Sequence, residues 1–571
     1  MSNQEIARAF NEIADMLELK GENPFRIRAY RRAAQNIEAL STDVTEMSPE
    51  ALQTVPGIGK DLAGKIREFI ETGSIKQLEE LRREVPAGLL EILLVPGVGP
   101  RTAKTIYDSL GISSLDELER ACKEGRLSGL PGIKKKTEEN ILKGISMLKR
   151  GRERMPLGRA RPLAEAIVEE LKGLKTVGRI EIAGSLRRWK ETVKDIDILV
   201  TSTKPMAVMN AFVKLPNVQD VLLKGPTKSS VVLKEGIQVD LRVVEEQSFG
   251  AALQYFTGSK AHNIKLRERA MKLGLKINEY GVFREADNTR VAGITEEEVY
   301  RAVGLPFIEP ELREDLGEIE AAEEGRLPNL VRLTDIKGDL HVHSKWSDGS
   351  HSIEEVVRAA MDMGYEYIAI TDHSQGLGIA GGLKPEDIME EKKEVDAINR
   401  KLKGFRVFMG VEVDIRSSGE LDFDEDVLKR LDFVVASIHS GFRQSQKQLT
   451  QRLLSAIRSP YVHVIAHPTG RIIGERDEYD VDMEVVLKEA KRHGKALEIN
   501  AYPLRLDLND RYAKRAKQLG IPLVISTDTH MKEQFRFINY GVEVARRAWL
   551  EKTDILNTLP LREFAKRIKR N

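Results

Sequence analysis

Three scarcities narrow the reading of this 571-residue chain before any motif is considered. It has one cysteine, Cys122, which excludes an intramolecular disulfide and a thiolate metal cluster and suits a reducing compartment. It has almost no net charge, because 90 Lys and Arg stand against 89 Asp and Glu. A polyanionic partner would therefore be held by local patches and not by an overall field. It has no apolar run of membrane-span length, and its first twenty residues lack the apolar core of a signal peptide. These features predict a soluble, cytoplasmic protein with no membrane contact. What the chain does have is length, enough for several domains with cores of their own.

The most informative stretch is 182–200, IAGSLRRWKETVKDIDILV. It opens on a turn, Gly184-Ser185, followed by Arg187 and Arg188, and ends in Asp195-Ile196-Asp197 before an apolar run. That ending reads as a strand, on which alternate side chains share a face, so Asp195 and Asp197 point together while Ile196 and Ile198 bury. Two carboxylates beside an apolar sheet repel each other and resist desolvation, and a hard divalent cation removes both penalties. The bland alternative is a surface strand with two solvated acids. A third acid, Asp240, sits in a second alternating strand over 238–243. Three carboxylates on neighbouring strands can hold two metals about 3.5–4 Å apart, the arrangement for in-line attack on phosphorus.

A Gly-Ser turn, Asp-x-Asp and a distant Asp together resemble the nucleotidyltransferase palm of DNA polymerase family X, the polymerase beta superfamily. The resemblance implies that Asp195 and Asp197 bridge Mg²⁺ ions and that Asp240 helps activate a primer 3′-hydroxyl. It also implies that Gly184, Ser185 and Arg188 receive the triphosphate of a deoxynucleotide. The run Tyr255-Phe256-Thr257-Gly258-Ser259 matches the family where the incoming sugar and base lie. Carried over, Tyr255 and Phe256 crowd the sugar 2′ position, Gly258 belongs to the same nucleotide-binding run, Asn263 reaches the base edge and Arg267 the template minor groove. Two positions depart from the pattern: Gln238 replaces an arginine beside the acids, and Trp189 replaces a glycine.

Upstream, Ile6, Phe10, Ile13 and Leu17 fall at helical spacing, with a second helix expected over 25–40. A unit then recurs. Val55-Pro56-Gly57-Ile58-Gly59 and Val95-Pro96-Gly97-Val98-Gly99 each lead into a helix with basic residues, Lys60 and Lys65 in the first, Arg101 and Lys104 in the second. A third copy, Leu130-Pro131-Gly132-Ile133, has Lys134 where the second glycine would stand. Glycines let backbone amides approach phosphate, and the helix N-terminus and lysines add charge, without reading bases. The repeats resemble helix-hairpin-helix elements, which implies contact with gapped or nicked DNA and a monovalent cation at the turns. Lys65 occupies the position of the family's Schiff-base lysine, but Asp61 stands where the family has a basic residue. The reading preferred here is a phosphate-contacting lysine.

Nine of the ten histidines lie beyond residue 336. Six of them, His341, His343, His373, His439, His467 and His530, end or follow apolar runs, and Glu412, Glu498 and Asp528 recur at similar places. Helical stretches intervene, as in a parallel barrel, whose sites gather at the strand C-termini. A mixture of imidazole and carboxylate suits Zn²⁺, Mn²⁺ or Fe²⁺ over Ca²⁺. This resembles the polymerase-and-histidinol-phosphatase (PHP) domain, a metal-dependent phosphoesterase barrel. The match implies nine ligands for up to three ions of Zn²⁺ or Mn²⁺: His341, His343, Asp348, His373, Glu412, His439, His467, Asp528 and His530. Glu412 would lie between two ions, and Glu498 would support a ligand.

The expected fold is a multidomain α+β chain. It has N-terminal all-α helix-hairpin-helix domains (1–82 and 83–150), an α+β palm (151–247) and a nucleotide-selecting subdomain (248–317). A linker (318–335) and a seven-stranded, distorted α/β PHP barrel (336–571) complete it. The expected function is gap-filling DNA synthesis in repair by a monomeric, nucleoid-associated enzyme, with 3′→5′ exonuclease and abasic-site cleavage in the barrel. Two other readings use the same motifs: a small-molecule phosphatase tethered to DNA, or a DNA-end scaffold with a decayed palm. The hairpin repeats and 255–259 disfavour an antibiotic or transfer-RNA nucleotidyltransferase.

Overall fold

Helical spacing of apolar residues builds the front of the chain. Ile6, Phe10, Ile13 and Leu17 are all buried along one side of the helix Asn3–Lys20, which packs on Pro24–Ala39. The computed structural model describes residues 3–39, 44–55, 57–93, 95, 98–152 and 154–569. The chain divides into two compact units, Met1–Glu153 and Arg154–Asn571. The first has a helical core of its own, in which residues from all three repeats, Ile58, Val98 and Ile133, are buried.

In the second unit a five-stranded sheet runs in the order Val177–Ile182, Asp195–Ser202, Gln238–Val244, Lys228–Leu233, Val218–Lys224. Asp195–Ser202 pairs antiparallel with the first of these and parallel with Gln238–Val244. The helix Leu157–Lys172 covers one face, because Leu157, Ala160, Ala164, Ile167, Val168 and Leu171 make a continuous apolar stripe. The helix Phe249–Thr257 covers part of the other face, packing Phe249 and Ala252 on Leu199. A small antiparallel sheet, Leu275–Asn278, Gly281–Arg284 and Arg290–Ala292, follows. It is tied to the palm through Glu296, which takes both guanidinium nitrogens of Arg187 at 2.9 and 2.6 Å and Arg313 Nη1 at 2.6 Å. Burial opposes the charge on Glu296, but the two arginines hold its carboxyl down to about 2. Removing one partner of such a buried group costs about 3–5 kcal/mol.

Part of 318–335, expected as a linker, is packed. The helix Glu318–Glu323 buries Ile319, Ala321 and Ala322, and the fully buried Glu318 pairs with His262 Nδ1 at 2.7 Å. Its Ala-rich, acidic composition resembles a solvated spacer, yet the acid at its start has a buried partner 56 residues upstream.

Seven parallel strands in sequence order form the rest: Gly338–Val342, Tyr367–Ile370, Arg406–Asp414, Phe433–Ser437, Val464–Ile465, Ala496–Asn500 and Leu523–Ser526. They are almost wholly buried, as parallel strands covered by helices are. A parallel bridge, Val342↔Thr529, brings the chain after the last strand against the first and nearly closes the barrel. Barrel and palm share one apolar cluster that runs from Leu157 to Ile555. They meet so closely that a Cβ at Gly158 would lie 2.3 Å from Pro503.

The barrel helix Ile538–Arg547 brings Glu543 against Glu311 of the short helix Pro310–Leu312. Burial, then the neighbouring Glu311, pushes Glu543 up to about 9. Arg546, 2.9 Å from Glu311 Oε1, helps hold Glu311 ionised against its own burial. An unfolded chain releases the Glu543 proton above its ordinary range, whereas the folded chain keeps it up to about 9. Folding therefore takes up a proton in that window, and stability falls as pH rises, with a limiting slope of about 1.4 kcal/mol per pH unit. The thermal midpoint is expected to drop between pH 6 and pH 9, and Glu543→Gln to flatten that slope; an unchanged slope in the variant excludes this pair as its source.

Candidate functional site

The parallel register of the palm strands sets Asp195 opposite Gln238 and Asp197 opposite Asp240. Residues in register on adjacent strands share a face, and the period of two brings Asp195 to it. Ile196 and Ile198 are fully buried behind the acids. The three carboxylates differ in how their charge is balanced. Burial, then Asp195 and Asp240, pushes Asp197 up to about 7, and burial with Asp240 also raises Asp195. Asp240 resists its burial because it accepts hydrogen bonds from Lys228, Ser230 and Gln238, and its carboxyl is held below the usual range. Lys228 Nζ lies 2.6 Å from Oδ2, and Gln238 Nε2 donates to Oδ1 at 2.9 Å. Among the described residues Asp195 and Asp197 make no ion pair like that of Asp240 with Lys228, which is the electrostatic demand a divalent ion meets.

Gly184 opens the short helix Gly184–Arg187 at φ +65°, and a Cβ there would lie 2.5 Å from Asp197 Oδ2. The turn is therefore built around the carboxylate. Gly184→Ala is expected to displace Asp197 and to lower single-nucleotide insertion about a hundredfold, leaving hydrolysis in the barrel intact. A gapped-primer assay read beside a 3′-trimming assay checks this.

The other nucleotide-site candidates are more engaged than free. Arg188 Nε pairs with Glu314 Oε1 at 3.1 Å, and its guanidinium also donates to the Thr257 carbonyl. The Arg188 carbonyl accepts from Arg547 Nη1 of the barrel at 2.6 Å. Asn263 Oδ1 accepts from Gln254 and its Nδ2 donates to the Tyr255 carbonyl, both at 2.7 Å. Tyr255 and Phe256 stand edge-to-face at 5.1 Å, with Arg242 4.3 Å above Phe256. Gly258 approaches Arg188, since a Cβ would come within 3.2 Å of Nη1. Ser185 is half-buried, and exposed Arg267 donates to the Asn263 carbonyl at 3.2 Å.

The first unit repeats one turn. Ile58 N, Val98 N and Ile133 N donate to the carbonyls of Val55, Val95 and Leu130, each at 3.0 Å. Gly57 and Gly132 take φ of +82° and +80°, a region that favours glycine. Gly59 and Gly99 cap the helices Lys60–Thr72 and Pro100–Leu110. Lys134 accepts from Glu138 N at 3.0 Å as Gly59 does from Ala63 N at 2.9 Å, so the third turn keeps the geometry without the glycine. Lys60, Arg101 and Lys104 are exposed. Lys65 is mostly buried and held by Asp61 at 2.5 Å. Gly97 lies outside the described residues.

At the C-terminal ends of the barrel strands all nine candidate ligands converge. Glu412 is the hub. Its Oε2 lies 2.9 Å from His373 Nδ1, 3.3 Å from His341 Nε2 and 3.6 Å from His343 Nε2, and its Oε1 lies 3.0 Å from His467 and 3.2 Å from His439. His343 Nε2 is 3.2 Å from Asp528, and Asp348 faces His530 at 3.3 Å and His373 at 3.6 Å. Three overlapping groups have ligand atoms within 4.8 Å of one another: His343-Asp348-His373-His530, His341-His343-Asp528 and His373-Glu412-His439. Inside them His341 Nε2, both nitrogens of His343, His373 Nδ1 and Glu412 Oε2 are buried and, despite these short separations, are not aligned for a hydrogen bond. Unpaired buried polar atoms are costly, so their convergence fits a set of metal ligands. Burial, then His530 and His373, pulls His343 down to about 4, whereas the carboxylates outweigh burial at His341, His439 and His530 and raise all three.

Family models match in the same order as these parts. They are a helix-hairpin-helix domain over residues 1–75, a SAM-like helix-hairpin-helix tandem over 89–146, a DNA polymerase beta thumb over 252–314 and a PHP domain over 339–502. The DNA polymerase/3′-5′ exonuclease PolX of Bacillus subtilis (strain 168) is 41% identical over 573 residues, covering 100% of both chains. The chain belongs to DNA polymerase family X, in the branch that carries a PHP domain. Probable phosphatases match a part of the chain. One from Thermoanaerobacter sp. (strain X514) is 31% identical over 245 residues, 41% of this chain and 95% of that protein. One from Caldicellulosiruptor bescii is 32% identical over 204 residues, 34% of this chain and 80% of that protein.

Sequence reasoning missed several residues of this family X chain. Lys228 reaches Asp240 through the antiparallel pairing Ser230↔Asp240, which leaves no local signal. Asp414, 3.3 Å from His439 Nδ1, lies two residues beyond Glu412 on its strand, and the period of two would have found it. Arg505 and Asn500 contact Asp528 Oδ2 at 3.5 and 3.0 Å. Glu498, expected to support a ligand, holds His341 Nδ1 at 2.8 Å and so turns Nε2 inward.

Proposed function

We propose that this chain fills short gaps in DNA from deoxynucleoside triphosphates with its palm and trims 3′ ends in its barrel. The observation that carries the reading is the register of Asp197 with Asp240 beside the Gly184 turn, in a chain whose barrel also gathers the nine candidate ligands. Asp195, Asp197 and Asp240 would hold Mg²⁺. The barrel ligands would hold up to three ions, Zn²⁺ or Mn²⁺, with Glu412 shared. When bound, such ions neutralise charge on phosphoryl oxygens and lower the pKa of water.

The protein's own groups have definite tasks. Asp240 would accept the proton of the primer 3′-hydroxyl at Oδ2, which requires Lys228 Nζ to leave that oxygen. Ser185 and the Gly184 turn would face the triphosphate, while Arg188 must exchange Glu314 for phosphate to join them. Tyr255 and Phe256 would border the sugar, and Asn263 and Arg267 the base pair. The hairpin turns at Gly57, Gly59, Gly97 and Gly99, with Lys60, Lys65, Arg101 and Lys104, would hold the DNA backbone, with a monovalent cation at the turns. In the barrel Glu498 fixes the His341 tautomer, so that 3′→5′ exonuclease and abasic-site cleavage would draw on one ligand set. A monomeric protein placed with the nucleoid in the cytoplasm accords with this reading. Among the described residues no helix is long and apolar enough to cross a membrane.

A 5′-labelled primer on a gapped duplex, with Mg²⁺ or Mn²⁺ titrated, tests the proposal. It should lengthen by the gap when nucleotides are present and shorten when they are withheld. No lengthening with either ion would sink the polymerase reading.

A further inference from the structure

A cleft of about 490 Å³ lies where the palm helix Leu157–Lys172 meets the barrel loop after Ala496–Asn500 and the start of the helix Ile538–Arg547. Neither centre described above uses it. Its size falls in the range of ligand clefts, about 300–1,000 Å³. A run of rings lines one side, each edge-on to the next: Tyr502 to Phe537 at 5.8 Å, Phe537 to Tyr540 at 6.2 Å and Tyr540 to Trp189 at 5.7 Å. Tyr502, Phe537 and Tyr540 are only half-buried, so their rings remain within reach of a ligand. Three arginines, Arg159, Arg161 and Arg536, line the cleft too, against one acid, Glu165, and Arg536 lies 5.8 Å over Phe537. Arg161 lies 3.6 Å over Trp189 and pairs with Glu165. Arg159 and Arg536 are exposed and carry no ion pair among the described residues.

Half-exposed rings alternating with cations are the chemistry that holds unpaired nucleotides: bases stack on the rings, and phosphates meet the guanidinium groups. A duplex offers no free base faces to such a wall. The position specifies which single strand. Tyr502 N donates to Asn500 Oδ1 and Asn500 Nδ2 to Asp528 Oδ2, both at 3.0 Å, so the cleft's barrel wall is two hydrogen bonds from a ligand of the barrel centre. Its palm wall includes Trp189, which follows directly on the Gly184–Arg187 helix and Arg188.

We propose that this cleft binds single-stranded DNA, seating the unpaired 3′ end of a strand between the two centres. The inference rests on the function proposed above and adds a site to it. The occupant is separated strand, and Tyr502, Phe537 and Tyr540 are the stacking surfaces.

The test uses the full-length protein. A short oligonucleotide carrying 5-iododeoxyuridine near its 3′ end is photocrosslinked and the attached peptides are identified by mass spectrometry. Crosslinks within 502–504 or 536–540 are expected, and their absence from both segments overturns the proposal. Independently, Arg159→Glu with Arg536→Glu should weaken trimming of a mismatched, frayed 3′ end by about tenfold, with hydrolysis of bis(p-nitrophenyl) phosphate and gap filling on a paired primer unchanged. Equal trimming by the altered and unaltered proteins overturns it as well. Failure of the proposed function is a different result: a protein that neither extends nor trims primers yet crosslinks in these segments keeps the site and loses the enzyme.

Discussion

Asp197→Ala is expected to abolish nucleotide addition, by roughly three orders of magnitude or more, while metal-dependent trimming of 3′ ends persists. Asp197 is the acid with the least compensation, pushed up to about 7 by burial and its two acidic neighbours. It also touches the turn that would face the triphosphate, through Gly184. Removing it takes a ligand from any cation shared with Asp195 and leaves Asp240 paired to Lys228. The fold should survive, because the core behind the strand is Ile196 and Ile198 and not the acid. Insertion into a one-nucleotide gap measures the first effect, and shortening of a labelled strand without nucleotides measures the second. Loss of trimming in a folded Asp197→Ala protein would show that the palm acids serve both reactions.

The reciprocal change is Glu412→Gln. Five histidines converge on this carboxylate, and His439, His341 and His373 overcome its burial and hold it well below the carboxylate range. A neutral amide of the same shape cannot bridge cations and leaves those rings without a counter-charge. Trimming should fall by about three orders of magnitude or more, and the metal content of purified protein, read by mass spectrometry, should drop with it. Gap filling should stay near its original level. If primer extension fell equally in a folded variant, the two centres would not be independent.

What was legible in the sequence was local. Asp195 and Asp197 share a face because of a period of two, and no distant contact is needed to know it. Histidines that end apolar runs declare a barrel rim because strand ends are where such sites collect. Partners brought by distant segments were not legible. Lys228 neutralises Asp240 by strand pairing, and it supplies a positive group beside the acids although Gln238 stands at the family's arginine position. Arg188, read as a phosphate ligand, is tied to Glu314, 126 residues away. Asn263 has both ends of its amide in use. Trp189, which takes a glycine's place, packs under Arg161 and against Tyr540 of the barrel. Glu318 likewise looked like part of a spacer because nothing in its neighbourhood names His262.

The shared apolar cluster of palm and barrel makes their stability a joint affair. Were the barrel to be cut away, Leu157 and Trp189 would lose neighbours they now rely on; were the palm to go, Tyr540 and Val544 would be left facing water. A substitution on either side of that seam is therefore expected to loosen packing on the other side as well.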